Sequence, residues 1–186
     1  MALWWTDLED LHDMIWRELE RGVAERAAAG RHLVLATAGS DGGGEARLVV
    51  LRAASVEDAV LEVHTDSASA KVGDIAREPW ATFLFWDPAL NLQVRLKARC
   101  EIRKGAGAER LWSRIPKASQ AVYGVEPRPG TEITAPEHVS GGGVMERFAI
   151  LTARVEEIDA LHLGEDRHRR ARYRAEDAWH GCWLAP

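Results

Sequence analysis

The segment from Leu92 to Arg103 constrains the fold more than any other part of the sequence. Apolar residues occupy every second position in it, and the positions between them hold Gln93 and charged residues. Because the side chains of a β-strand point alternately to the two faces of a sheet, this pattern predicts a long strand. One face of that strand is buried and the other is in contact with water.

Further strands are predicted where short apolar runs stand between turn residues. They cover residues 33–37, 47–53, 60–65, 80–86 and 147–158. The run at 80–86 is apolar everywhere except at Thr82, which predicts a strand buried on both faces. With a C-terminal hairpin at 169–186, this order gives six to eight strands. Short connections favour a small antiparallel barrel over a parallel α/β fold.

Helices are predicted only at the edges of this sheet. The N-terminal segment 1–30 has apolar residues at spacings of three and four, and Thr6 with Glu9 indicates a capping box at its start. Shorter helices are predicted at 67–76 and at 106–121, the second interrupted by a proline. The sequence therefore predicts a mainly β protein with peripheral helices.

Composition limits the domain organisation and the class of partner. A chain of 186 residues, 46% of them apolar, can form one substantial core, so a single domain over 1–186 is expected. The segment 124–145 is rich in glycine and proline and is predicted to be a long loop, which is typical of functional or mobile segments. A net charge of −5 argues against binding to nucleic acid or to an anionic membrane.

Targeting signals and cysteine usage point to the compartment. The first residues carry no basic segment followed by an apolar one, and no apolar run approaches the length of a membrane span. Two cysteines are too few for a disulfide framework and fit a reducing compartment. We therefore expect a cytoplasmic protein.

Several common sites are missing from the sequence. It contains no GxGxxG, GxxxxGK[ST], HExxH or CxxC motif, and its seven histidines have no metal-ligand spacing. No metal is therefore expected. A serine, histidine and aspartate triad is not evident either, and no catalytic residue is identified.

Groups that can hold an anion are spread over consecutive strands. Arg47 and Arg52 lie on the second predicted strand, and Thr65, Ser69 and Lys71 surround the end of the third. Hydroxyls, a lysine and a helix start suit a phosphate, although ordinary cap and surface residues give similar strings. Regular alternation places the two arginines on opposite faces, so both reach one ligand only if the strand twists, bulges or presents its end.

Four ordered motifs resemble one known family, the pyridoxamine 5′-phosphate oxidase-like, FMN-binding split-barrel family. They are RLVVLR at 47–52, HTDSASAK at 64–71, FLFW at 83–86 followed by QVRL at 93–96, and Arg172 and Tyr173 with Trp179 and LAP at 184–186. The similarity runs from about residue 32 to the C-terminus. This resemblance implies a six-stranded antiparallel split β-barrel of the FMN-binding type.

The resemblance also implies a homodimer with FMN in two equivalent clefts shared between the subunits. Its cofactor-binding positions are Arg47, Val49, Val50, Arg52, His64, Thr65, Ser69, Lys71, Gln93 and Arg172. Of these, Arg47, Arg52 and Lys71 would bind the phosphate and ribityl chain. Gln93 would approach the flavin ring, and Arg172 would come from the partner subunit. Ser119 and Arg170 are expected to bind substrate.

Departures from the family pattern bear on activity. Ala70 replaces an arginine of the S-R-K element, which removes one cation near the FMN phosphate. Where the authentic oxidase holds the vitamin B6 phosphate with tyrosine, arginine and serine, this chain has Leu111, Ile115 and Ser119. Since each charged hydrogen bond contributes about 1.5–3 kcal/mol, efficient oxidation of pyridoxamine phosphate is not expected.

Three functions remain open. The leading hypothesis is an FMN-dependent oxidoreductase acting on an unknown small, planar substrate. The second is a flavin-binding or flavin-sequestering protein without turnover. The third is haem binding and degradation, based on His162, His168 and His180 near the C-terminus.

Overall fold

The computed structural model describes residues 3–186. Its strands are β1 (His32–Ala38), β2 (Gly44–Ser55), β3 (Val60–Asp66), β4 (Trp80–Asp87), β5 (Leu92–Arg103), β6 (Val125–Glu126), β7 (Ser140–Gly141), β8 (Phe148–Leu163), β9 (His168–Arg174) and β10 (Cys182–Leu184). Its α-helices are α1 (Leu8–Ala24), α2 (Ala70–Arg77), α3 (Ala106–Trp112) and α4 (Lys117–Gln120).

Eight strands form one antiparallel sheet in the order β10-β9-β8-β3-β2-β1-β4-β5. The long strand β8 pairs with β3 through its first half and with β5 along most of its length, which closes six strands into a barrel. Strands β9 and β10 continue the sheet beyond β8. The predicted mainly β, six-stranded split barrel is confirmed, and the alternation in β5 matches the observed burial.

Strand β4 does not have the burial that its sequence predicted. Ala81, Phe83 and Phe85 are buried in the barrel, whereas Trp80 and Trp86 are 40% and 41% exposed on its outer face. The prediction of a strand buried on both faces is therefore wrong for the single chain. An apolar outer face is instead left uncovered.

Helix α1 packs against β2 and adds Leu11, Ile15 and Leu19 to the core, but it differs from its predicted bounds. It ends at Ala24 rather than near Gly30. The predicted capping box is wrong, because Asp7 caps the helix and its Oδ1 accepts hydrogen bonds from the backbone N–H groups of Glu9 and Asp10 at 2.9 and 3.1 Å. Among residues 3–186, no helix is long and apolar enough to cross a membrane.

The segment between β5 and β8 packs against the outside of the barrel. Helix α3 covers part of β8, where Ala108, Tyr123, Phe148 and Ile150 form a second, smaller buried cluster. The predicted helix at 106–121 is split into α3 and α4, as its proline indicated. Within the predicted loop, β6 and β7 pair as a short two-stranded antiparallel sheet, with the segment 127–139 between them.

Candidate functional site

Strand β2, the end of β3 and the start of α2 contribute to one cluster of polar groups. We call it the cradle, and it consists of Arg47, Thr65, Ser69 and Lys71. The Thr65 and Ser69 hydroxyls lie 3.1 Å apart, and Lys71 Nζ donates to Thr65 Oγ1 at 3.1 Å. Ser69 precedes α2, but its hydroxyl does not cap the helix and instead donates to the carbonyl of Asp66. The structure thus brings four predicted cofactor-binding residues together.

The charge of Lys71 is not neutralised by an adjacent carboxylate. No carboxylate oxygen within residues 3–186 lies within 4 Å of its ammonium group. Burial lowers the pKa of Lys71, the positive charge of Arg47 lowers it further, and the more distant Asp66 and Asp74 oppose both effects. A bound anion would relieve this unfavourable environment.

Arg47 is held in place by groups from two other elements. Its Nη1 donates to Thr37 Oγ1 at 2.6 Å, and its Nη2 lies 3.4 Å from Asp74 Oδ2. The Thr37 hydroxyl donates to the same Asp74 oxygen at 2.8 Å. Asp74 also pairs with Arg77, so this buried carboxylate is shared between two guanidinium groups, and the exposed Glu45 Oε2 lies 3.8 Å from Arg47 Nη2. The cradle therefore keeps an excess of positive charge.

Arg52 lies at a bulge in β2, and a bulge is one of the irregularities that would allow Arg47 and Arg52 to reach the same ligand. The register of β2 with β3 shifts between Leu51 and Ala53. Arg52 Nε is buried and has no hydrogen-bond partner within residues 3–186. Five residues of strand span about 16 Å, so Arg47 and Arg52 contact one ligand if their long side chains converge or if the ligand is extended. An orphaned guanidinium N–H and an unpaired ammonium together fit an extended, phosphorylated molecule.

The remaining predicted positions near the cradle differ in accessibility. Val49 is 6% exposed and its side chain belongs to the core, so only its backbone could contact a ligand. Val50 is half-buried on the outer side of β2. His64 Nε2 lies 3.2 Å from Glu62 Oε1, and its ring contacts the edge of Phe148. Their roles as cofactor-binding residues stay predictions.

Gln93 and Arg172 lie on strands other than those that carry the cradle. In the six-stranded ring, β2 and β5 are separated by two strands in either direction. Gln93 and Arg172 are half-buried on the outer sides of β5 and β9. The nearest polar partner of the Arg172 guanidinium is Cys182 Sγ, at 4.0 Å. Among residues 3–186, no hydrogen bond joins Gln93 or Arg172 to a cradle residue.

Arg170, predicted to bind substrate, is engaged by a carboxylate. Its Nη2 lies 2.8 Å from Asp159 Oδ2, and Arg95 Nη2 donates to the same oxygen at 2.7 Å. Burial alone would raise the pKa of Asp159, but the hydrogen bonds from Arg170 and Arg95 outweigh it and lower the pKa. Ser119 lies half-buried on α4, and no hydrogen bond within residues 3–186 joins it to Arg170.

Three carboxylates of this region were missed from the sequence, namely Asp66, Asp74 and Asp159. Asp159 is a single acid within the otherwise apolar run from Ile158 to Leu161, which is a signal for a buried ion pair. Asp74 stands three residues after Lys71 and three before Arg77, on one face of α2. Asp66 follows Thr65 directly, and only its distant partners reveal its role.

The three histidines named for haem binding lie in different environments. His162 is buried beneath Trp5, whose ring stacks on the imidazole at 4.9 Å. His168 is exposed at the start of β9, and His180 Nδ1 lies 2.8 Å from the carbonyl of Asp177. Within residues 3–186, no group of three or more histidine, cysteine, aspartate or glutamate side chains is arranged to hold a metal ion.

Comparison with protein families gives a match to one model. Residues 13–104 match the pyridoxamine 5′-phosphate oxidase, FMN-binding domain. The matched segment contains the cradle, Arg52 and Gln93.

Two curated proteins illustrate the range of relatives. The chain is 26% identical to dihydrophenazinedicarboxylate synthase of Pseudomonas chlororaphis, over 95% of this chain and 82% of that protein. It is 30% identical to the pyridoxine/pyridoxamine 5′-phosphate oxidase of Thermosynechococcus vestitus, over 72% of this chain and 56% of that protein. The chain thus spans about half the length of this oxidase.

A solved structure shares the whole fold. The pyridoxamine 5′-phosphate oxidase-related, FMN-binding protein of Nostoc punctiforme superposes with a TM-score of 0.75 at 22% identity, and the match covers 100% of this chain and 99% of that one. At this identity, the likeness establishes the barrel and its connections.

Proposed function

The chain belongs to the pyridoxamine 5′-phosphate oxidase-like, FMN-binding split-barrel family as a divergent member, and from this premise we propose that it is an FMN-dependent oxidoreductase. The observation that carries the proposal is the state of Lys71, a half-buried ammonium group whose hydrogen-bond partner is a threonine hydroxyl. A phosphate supplies the negative charge that this site lacks.

FMN would be held along the cradle and β2. Lys71, Arg47 and the Thr65 and Ser69 hydroxyls bind the phosphate, and Arg52, five residues further along β2, contacts the same molecule. The buried, unpartnered Nε of Arg52 supports this direction. Ala70 leaves one position of the helix start without a cation, so the phosphate is held by fewer charges than the family pattern provides.

A homodimer completes the site. Gln93 approaches the flavin ring, and Arg172 reaches the cleft from the partner subunit, since both are carried by strands other than those of the cradle. An uncovered apolar row supports the dimer: Leu48 pairs with Val34, which pairs with Leu84, on the outer face of β2, β1 and β4. Leu48 is 69% exposed, more than an isolated subunit favours for a row of this kind.

The substrate is a small, planar molecule other than pyridoxamine phosphate. When bound, FMN supplies the two-electron redox chemistry, and the protein contributes orientation and exclusion of water. The Gln93 amide can donate to the ring. Leu111 and Ile115, which stand at two phosphate-anchor positions, pack against the small buried cluster beneath α3. The candidate electron donors are small amines and nicotinamides. Since one relative is a dihydrophenazinedicarboxylate synthase, cyclic carboxylates are candidate donors as well.

Reduction of the bound flavin tests turnover. Anaerobic protein loaded with FMN is mixed with each candidate donor, and the loss of the oxidised-flavin absorption is followed. We expect bleaching by at least one donor, followed by reoxidation in air. Binding of FMN with no bleaching by any donor would contradict turnover and favour the flavin-sequestering alternative, for which the lost phosphate anchors are the supporting observation.

A further inference from the structure

Asp66 is the residue that joins the cradle to the segment 124–147, which lies between α4 and β8. Its Oδ2 accepts a hydrogen bond from the backbone N–H of Gly124 at 2.7 Å, and its Oδ1 accepts from Arg147 Nε at 3.0 Å. Arg147 Nη2 lies 3.0 Å from the same Oδ1, close enough for an ion pair although its N–H is not aligned with the oxygen. We call these three residues the Asp66 cluster.

The same residue fixes the turn that carries the cradle hydroxyls. Asp66 Oδ1 accepts from the backbone N–H of Ala68 at 2.8 Å, and the Asp66 carbonyl accepts from the hydroxyl of Ser69 at 2.8 Å. Ser67 N–H donates to the carbonyl of Arg147 at 2.7 Å. Both ends of the 124–147 segment are therefore bonded to the residues that position Thr65 and Ser69.

The geometry at Gly124 shows that this contact needs a particular residue. Gly124 has a φ of +80°, and a Cβ added there would lie 2.4 Å from Val144 Cβ. Glycine alone allows the backbone N–H to reach Asp66 without displacing Val144. Asp66 is 7% exposed, so its carboxylate stays buried only because these donors compensate its charge.

We propose that Asp66 is a positioning residue that couples the 124–147 segment to the cradle, so that an ordered segment and an occupied phosphate site stabilise each other. This inference rests on the proposed function for the identity of the phosphate ligand. Contacts that hold the Asp66 cluster together also fix the turn at 66–69. A phosphate bound by that turn therefore favours the closed segment, the conformation in which 124–147 is bonded to Asp66.

Limited proteolysis measures how readily the 124–147 segment opens. Glu132 and Glu137 are exposed within it, so a protease that cleaves after glutamate reports its opening. Without FMN, Asp66→Asn should be cleaved at least about tenfold faster than the wild type, because the variant loses charge-assisted hydrogen bonds. Arg147→Met, which breaks the cluster from the segment side, should behave in the same way.

Glu126→Gln is the matched control. Glu126 pairs with the same arginine at 3.0 Å but its side chain is 63% exposed, so its removal should change the cleavage rate by less than about twofold. Thermal unfolding of all variants identifies any that fail to fold. If Asp66→Asn does, Arg147→Met provides the same comparison.

FMN titrations test the coupling. Saturating FMN should slow cleavage of the wild type. In Asp66→Asn this protection by FMN should be smaller, and the factor by which it decreases should equal the factor by which the FMN affinity falls. Faster cleavage with unchanged FMN affinity would overturn the coupling and leave a purely structural role. Unchanged cleavage would show that Asp66 does not hold the segment. Failure of the wild type to bind FMN would contradict the proposed function and the coupling, while cleavage without FMN would still decide whether Asp66 holds the segment.

Discussion

The cradle and the outer face of β5, β8 and β9 both gather cations, but they balance their charges differently. In the cradle, Lys71 faces a threonine hydroxyl and the charge of Arg47. On the outer face, Asp159 lies between Arg95 and Arg170 and is bonded to both. Clustered basic residues in a sequence therefore do not identify an anion site. What sets Lys71 apart is that its ammonium group is half-buried, lacks a carboxylate within 4 Å and lies beside a second cation.

The largest effect on FMN affinity is expected at Lys71. Replacing it by methionine removes a half-buried cation that has no carboxylate within 4 Å, so FMN affinity should fall about 100-fold, equivalent to about 2.7 kcal/mol. Fluorescence titration of FMN measures the change. Lys104→Met, in the turn after β5, is the control and should leave the affinity unchanged. Equal effects of the two variants would show a general loss of charge rather than a specific contact.

A second effect is expected at Asp159, on stability rather than on ligand binding. Its pKa is lowered in the folded state, so its stabilisation is present above the ordinary pKa of an aspartate and is lost as the pH falls through the folded value. Asp159→Asn should lower the free energy of unfolding by about 1–3 kcal/mol at neutral pH. Denaturant unfolding should show this difference shrinking in acid. A difference that does not depend on pH would contradict the ion-pair account.

Arg172 tests whether the two regions meet across a dimer. Arg172→Leu should weaken FMN binding about tenfold, because one charged contact is lost. Mixed dimers of Arg172→Leu and Lys71→Met subunits should regain one intact cleft, with wild-type affinity for half of the FMN sites. Absence of this recovery, or a stable monomer at micromolar concentration in sedimentation, would contradict the shared cleft.

The smallest effect is expected at Ala70. Ala70 is exposed at the first position of α2, next to the cradle. Ala70→Arg should therefore strengthen FMN binding about threefold to tenfold, less than a buried charged hydrogen bond contributes, because the position is exposed. The gain should disappear as salt is raised, because exposed charges are screened. Tighter binding that persists in high salt would point to packing rather than charge.

Much of the barrel could be predicted from sequence because its signals are local. The alternation in β5 gives the strand and its buried face directly. The exposure of Trp80 and Trp86 could not be predicted, since an apolar run does not reveal whether its outer face is covered by the same chain or by another. The start of α1 was also missed, because Asp7 and Thr6 are both good caps and only the backbone decides between them.

The candidate site also contains residues that could be predicted from the sequence and residues that could not. Thr65, Ser69 and Lys71 are close in sequence and were predicted together. Asp66 bonds to Arg147, 81 residues away, and Asp159 bonds to Arg95, 64 residues away, so their roles depend on the closure of the barrel. Cradle residues were found from the sequence, whereas the carboxylates that set their charge balance required the structure.

The most direct test of the account is a titration of the purified, unmodified protein with FMN, followed by visible absorption and flavin fluorescence. The account predicts saturable binding of one FMN per chain, weakened by inorganic phosphate, which competes for the cradle. No binding at high micromolar FMN would contradict it, and would mean that this chain keeps the barrel of its family without the cofactor.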